Sequence, residues 1–482
     1  MENTKAKVFT NLIWRFAERV GAQLVTFIVS LVLARILVPE DYGTIALITI
    51  FTTIIQVFVD SGLGNALIQK KDSDDLDFST VFYTNIVFCL ALYAILFFCS
   101  PYIAKFYGNE QLTGLTRVLG LIIIVSGLKN VQQAYVSKNL MFKKFFLATL
   151  IGTIGSGIVG IFLAKKGFGA WALVAQQLFN VIVDTIILWI TVKWRPKMAF
   201  SFNRLKTLFS YGWKLLIASV IDTVYNNVRQ LLIGKLYSSA DLAFYNRGKQ
   251  FPELIVNNVN TSIDSVLLPT MSQEQEDKEK VKNMTRRAIK TSIFIMAPLM
   301  MGLAFTSNNV IIILLTEKWL PSVPFLCIFA VTFMFYPIHT ANLNSIKAMG
   351  RSDLYLKLEI IKKFVGITLL LVTMRISVMA MAYTLLLSGL LSQIINAWPN
   401  KKLLGYSYWA QVKDILPSII IAFLMGIIVY AINIFNINVI LKLIIQIIIG
   451  GITYVSMAKL LKIDSLEYII SFIGNFKNNK KI

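Results

Sequence analysis

The sequence predicts an all-α integral membrane protein of about fourteen transmembrane helices, two six-helix lobes followed by two further helices. Three observations carry this reading. First, 56% of the 482 residues are hydrophobic and 15% are charged, with a mean hydropathy of +0.68, whereas soluble domains are about a quarter charged. Second, 47 Lys and Arg stand against 25 Asp and Glu, a net charge of +22, and these cations fall in short connections between apolar runs. Third, the first and seventh runs start and end alike at an offset of about 200 residues, the mark of an internal repeat.

Apolar windows between polar breaks place the first lobe's helices near 11–35, 42–63, 78–100, 112–134, 145–164 and 168–192, each suited to a hydrocarbon core of about 30 Å. The second lobe follows near 207–235, 242–272, 288–308, 320–346, 354–374 and 376–398, and helices near 415–435 and 438–458 close the chain. Domains are therefore expected at 1–200, 201–400 and 401–482, the last holding the two extra helices and a basic tail. Lys5 and Lys7 precede an apolar run that continues through Leu37 without a small-residue cleavage pattern, so it reads as a retained helix and not as a signal peptide. No stretch remains for a soluble catalytic lobe.

Orientation follows from the cations. Alternate connections hold Lys70 and Lys71, Lys138 to Lys144, Lys193 to Lys206, Lys278 to Lys290, Lys347 to Lys357, Lys401 to Lys413, and Lys459 onward. The opposite side and its helix ends keep Arg35, Lys105, Lys165, Lys166, Lys235, Lys318, Arg375 and Lys442. An excess of Lys and Arg marks the cytoplasmic side, so both termini are expected in the cytoplasm. Charge spread over every cytoplasmic loop also argues against a nucleic-acid partner, which would need one basic patch.

The seventh and eighth helices are the least apolar. The basic connections at 193–206 and 278–290 share a side, so an even number of crossings separates them and both helices are present or both absent. The repeat favours presence: Trp14 and Arg15 answer Trp213 and Lys214, Asp41 and Tyr42 answer Asp241 and Leu242, and Asp60 answers Asn260.

Ionisable groups at membrane depth cost about 2.5–3.5 kcal/mol each on insertion scales unless they face a partner or water, so their angular placement is informative. On the eighth helix Lys249, Glu253, Asn257, Asn260 and Asp264 fall within about 80° at 100° per residue. Asp222, Asn226 and Arg229 align on the seventh, Arg15, Arg19, Thr26 and Ser30 on the first, and Thr49, Thr53, Gln56 and Asp60 on the second. Such stripes are expected to line a water-filled cavity between the lobes, where Arg and Lys hold an anionic ligand by charge-assisted hydrogen bonds. The carboxylates Asp60, Asp222, Glu253 and Asp264 would balance charge or carry a coupling ion. The competing reading is buried ion pairs that glue helices together, and Lys249 with Glu253 has the spacing of an i,i+4 bridge.

Other residues say less. His339, the only histidine, reads as a satisfied interior group near Asn342 and Asn344, and Cys89, Cys99 and Cys327 read as buried thiols. Lys129 and Asp184 lie near cytoplasmic helix ends, where snorkelling explains them. Pro252, Pro298 and Pro337 fall within helices and are compatible with bending. No metalloprotease helix, phosphate loop or Cys/His cluster is present, so no catalytic residue, metal or cofactor is expected.

Several segments resemble a known family. They are Leu33 to Gly43, Gly62 with Asn65 to Gln69, Phe78 to Thr80, Phe244 to Arg247, Leu267 to Thr270, Glu317 to Trp319 with Pro321, and Ala348 to Gly350. They are similar to the polysaccharide exporter family of the multidrug/oligosaccharidyl-lipid/polysaccharide flippase superfamily. The resemblance implies two six-helix lobes forming a V, as in multidrug exporters of that superfamily, in the inner membrane of a bacterium. It implies a transporter and not an enzyme, one that flips undecaprenyl-diphosphate-linked oligosaccharide to the outer leaflet for surface polysaccharide. The diphosphate-holding role would fall to Arg15, Arg19, Lys214, Arg229, Arg247 or Lys249, with Asn226, Asn257 and Asn260 accommodating sugars. Partners would be the lipid-linked oligosaccharide and membrane lipids, with a polysaccharide polymerase and glycosyltransferases acting alongside. The alternatives are a cation-coupled multidrug exporter, which the many cations disfavour, and a membrane-embedded polymerase or ligase, which the short external connections disfavour.

Overall fold

A computed structural model describes the backbone of residues 2–60 and 62–479, and the side chains of Trp14 and of residues 20–60, 62–210 and 212–471. The described residues form helices and connecting turns, without a strand. The first helices are α1 (Glu2–Ile36), α2 (Pro39–Asp60), the short α3 (Leu63–Gln69), α4 (Asp75–Tyr107), α5 (Gln111–Lys138), α6 (Phe142–Lys165), α7 (Ala170–Thr191), α8 (Phe202–Leu236) and α9 (Ser239–Gln273). They are followed by α10 (Lys278–Phe305), α11 (Ser307–Leu315), α12 (Val323–Met334), α13 (Tyr336–Ala348), α14 (Ser352–Thr373), α15 (Val378–Leu404), α16 (Tyr408–Ala431), α17 (Val439–Leu460) and α18 (Asp464–Asn479).

Every predicted span coincides with a helical stretch, the tenth being assembled from a 3-10 turn at Glu317–Ser322 with α12 and α13. Among the described residues, 10 helical segments are long and apolar enough to cross a membrane. The remaining predicted spans lie on α1, where Val20–Ile36 alone is apolar, and on α8, α9 and α14, whose charges remove them by hydropathy.

The chain divides into two compact units, Met1–Ala243 and Phe244–Ile482. This division falls beyond α8, later than residue 200, because α8 packs on α2, α3 and α4 of the first unit. That unit is centred on an aromatic core in which the Trp194 ring lies 5.7 Å from Phe78 and 6.1 Å from Tyr135. In the second unit α10 is the central post and contacts α12, α13 and α16. The segment beyond residue 401 does not stand apart, since α16 lies along α10 and carries α17.

Two minor expectations need correction. Only Cys89 is a buried thiol; Cys327 is half-buried and Cys99 is exposed, on a stretch of α4 that also exposes Phe98 and Tyr102, as a lipid-facing stretch does. Lys129 does not snorkel: its Nζ lies 3.0 Å from Asp184 Oδ2, both side chains being largely covered.

At the start of α4, beside the basic connections of the first unit, Asp74 caps the helix in a reciprocal capping box with Asp77. Arg204 reaches Asp74 at 2.5 Å and buried Asp77 at 3.2 Å, while Lys70 lies 2.6 Å from Asp77. The Arg204 guanidinium, and after it the Asp77 backbone N–H, hold the Asp74 carboxyl down to about 2. A carboxyl with a lowered folded pKa contributes stability above its unfolded value of about 3.9 and loses it as pH falls through the folded one. Arg204→Ala is therefore expected to flatten the fall in thermal midpoint between about pH 4 and about pH 2, measured by nanoscale fluorimetry in detergent.

Candidate functional site

The predicted site residues sit mainly on α8 and α9, and the two helices belong to different units. On α8, Lys214, Asp222 and Asn226 are exposed and Arg229 is half-buried. The Arg229 Nε is covered yet has no hydrogen-bond partner among the described residues. On α9, Asn257 and Asp264 are exposed, and Lys249, Glu253 and Asn260 are half-buried; the Asn260 Oδ1 is also covered and unpartnered. Arg15 and Arg19 lie outside the described side chains.

Each of α8 and α9 thus carries exposed and half-buried donors, cations and carboxylates within its own unit. At membrane depth such charges would cost about 2.5–3.5 kcal/mol each if they faced lipid.

Several predicted residues are engaged within their own unit. Lys249 Nζ and Glu253 Oε1 form the i,i+4 bridge at 3.1 Å. Arg247 is buried at 6% exposure, donates from Nη1 to Gln250 Oε1 at 2.5 Å and lies 5.3 Å over the Trp319 ring. It anchors the start of α9 and is not exposed. Asp264 Oδ1 accepts from Asn344 Nδ2 at 2.9 Å. In the first unit Asp60 accepts from Gln56 Nε2 at 3.1 Å and from Asn130 Nδ2 at 3.3 Å. Asn130 in turn accepts from Asn85 Nδ2 at 3.3 Å. Asn85 and Asn130 escaped the sequence reading because Asn85 is surrounded by mostly apolar residues and Asn130 sits in the polar end of α5 beside Lys129, Gln132 and Gln133; their coupling to Asp60 is purely tertiary.

The anchor of α9 is tight. A Cβ on Gly248 would stand 2.6 Å from Phe325 Cβ, 2.8 Å from Leu326 N and 2.8 Å from Ser322 O, and two of these are backbone atoms that cannot turn aside. Gly248→Ala is expected to destabilise the second unit by about 1–3 kcal/mol, the usual cost of overpacking, read as a lowered midpoint in thermal unfolding.

His339 is satisfied, with Nδ1 3.1 Å from Asn396 Nδ2. A second buried network lies beside it, unread in the sequence. Asn342 exchanges hydrogen bonds with Gln411 at 2.9 Å in both directions and accepts from Asn400 Nδ2 at 2.7 Å, while Ser345 donates to Asn400 at 3.1 Å. It ties α13, α15 and α16 together. A third network ties α11 to the last helices: Asn309 Nδ2 donates to Gln446 Oε1 at 2.9 Å and to Asn433 Oδ1 at 3.0 Å.

The fold matches that of two solved membrane proteins. The chain superposes on the lipid II flippase MurJ in its inward closed conformation with a TM-score of 0.75 at 17% identity, covering 95% of this chain and 99% of that one. It superposes on an inward-facing multidrug resistance MATE transporter of the MOP superfamily with a TM-score of 0.62 at 13% identity, covering 80% and 96%. In sequence it is 25% identical over 414 residues to the teichuronic acid biosynthesis protein TuaB of Bacillus subtilis, 84% of this chain and 85% of that protein. Residues 32–324 match the family model described as polysaccharide biosynthesis protein, and the chain belongs to that family. Its long apolar helices make it a multi-pass membrane protein.

Proposed function

We propose that this chain is a transporter that flips a lipid-linked oligosaccharide, the lipid being undecaprenyl diphosphate, from the cytoplasmic to the outer leaflet by alternating access. The observation that carries the proposal is that Lys214 is exposed on α8 and that Arg229 on α8 and Lys249 on α9 are half-buried. Cations in a partly desolvated setting bind phosphoryl oxygens by charge-assisted hydrogen bonds, and Arg229 offers an Nε–H that no group among the described residues uses. Asn226, Asn257 and Asn260 supply amides for sugar hydroxyls. Asp60, Asp222, Glu253 and Asp264 are proposed to balance charge or carry a coupling ion. Arg247, being buried against Trp319, is better suited to positioning α9 than to touching substrate.

The resemblance to TuaB and to the lipid II flippase supports the same reading, as does the absence of a catalytic constellation in the sequence. We propose a polysaccharide polymerase and glycosyltransferases as functional neighbours. A strain lacking the protein is expected to lose a surface polysaccharide and to keep its susceptibility to cationic drugs. Unchanged polysaccharide with raised drug susceptibility would instead identify a multidrug exporter.

A further inference from the structure

A cleft of about 340 Å³ opens within the first unit between α8 and the bundle of α2, α3 and α4. That volume lies in the range of about 300–1,000 Å³ found for sites that hold one small ligand or chain segment. Its walls are apolar and largely aromatic, with Phe58, Phe88, Phe209 and Trp213 prominent. None of the residues assigned to substrate lines it.

Polar groups at the cleft are few. Thr84 Oγ1 donates to the Thr80 carbonyl at 2.8 Å and Asn85 Nδ2 to Asn130, so the Thr84 proton and one of the two Asn85 amide protons are committed. Lys206 is the cation on its lining. Three other cations at this end of the unit are ion-paired: Lys197 lies 2.6 Å from Asp75, Arg204 2.5 Å from Asp74 and Lys70 2.6 Å from Asp77. Lys206 forms no ion pair among the described residues and is exposed. Its connection belongs to the basic, cytoplasmic side.

We propose that the cleft seats one acyl chain of an anionic phospholipid from the cytoplasmic leaflet, with the lipid phosphate on Lys206. The chemistry selects this occupant. An aromatic, nearly unfunctionalised wall receives hydrocarbon, and a single free ammonium matches the single negative charge of a phosphodiester. The diphosphate of a lipid-linked sugar carries more charge than one lysine neutralises. Gly212 marks where α8 pivots on the bundle: a Cβ there would stand 2.9 Å from the Gly62 carbonyl oxygen. A chain seated beside that contact sets the spacing of α8, the helix that carries Lys214 and Arg229.

The test uses the full chain in nanodiscs containing brominated phosphatidylglycerol or brominated phosphatidylcholine at equal mole fraction. The Trp213 signal is taken as the difference between wild type and Trp213→Phe. Expected is about a fivefold preference for the phosphatidylglycerol quencher, the order of one lysine near an anionic lipid, and its loss in Lys206→Gln. Equal quenching by the two lipids, no quenching, or a preference that survives Lys206→Gln overturns the proposal. Recovery of Trp213 fluorescence by a few mole percent of unlabelled polyprenyl phosphate also overturns it, and assigns the cleft to a polyprenyl chain.

Discussion

Arg229→Ala is expected to lower transport of a diphosphate-linked glycolipid by about 10- to 150-fold while leaving the protein inserted and folded. The range corresponds to the loss of one hydrogen bond to a charged group, about 1.5–3 kcal/mol. The Arg229 side chain is half-buried and its Nε is covered without a partner among the described residues, so water screens it less than a surface cation. Its removal takes away an unused donor and breaks no bond made by that Nε. Arg229→Lys is expected to recover only part of the activity, because a point ammonium cannot reproduce a planar fork of donors. The check is a transport assay alongside a thermal midpoint. Activity retained by Arg229→Ala would remove this residue from the substrate path.

The largest effect on stability is expected at Asn342. Its side chain meets both Gln411 and Asn400 inside the second unit, and all three residues are nearly inaccessible. Asn342→Ala leaves both ends of the Gln411 amide buried without their partner, at about 1–3 kcal/mol for each orphaned group, while Asn400 Nδ2 keeps the Asn342 backbone carbonyl at 3.2 Å as an acceptor. Asn342→Ala is therefore expected to lower the unfolding midpoint sharply. Replacing Asn342, Asn400 and Gln411 together by apolar residues of similar size is expected to recover much of the loss, because no orphan then remains. A triple variant as unstable as the single one would mean that packing, not hydrogen bonding, is the source of the effect.

Much of the helix order was legible because a membrane span imposes length and apolarity at once, and because cations concentrate in alternate connections. The polar stripe of α9 was legible too, since Lys249, Glu253, Asn257, Asn260 and Asp264 keep one angular sector over several turns and all are exposed or half-buried. Periodicity does not show which polar residue points away from water. Arg247 follows the family-like segment from Phe244 and is charged, yet its guanidinium is drawn onto Trp319, a residue far away in sequence. The Asp60 cluster hid for the same reason, as nothing sets Asn130 apart from its polar neighbours Gln132 and Gln133 until α5 packs on α2. Nor did the repeat disclose that α8 packs with the first unit, because its packing partners are set by surfaces on α2, α3 and α4.

The central claim is that the cations of α8 and α9 receive a phosphorylated lipid-linked sugar and pass it across the bilayer. It is tested most directly by reconstituting the full chain in vesicles with fluorescent undecaprenyl-diphosphate oligosaccharide and measuring, with an impermeant quencher, its movement between leaflets with and without proton or sodium gradients. Protein-dependent movement that Lys214→Glu with Arg229→Glu abolishes is the expected result. Movement no faster than in protein-free vesicles under every gradient, or unaffected by the double reversal, would contradict it.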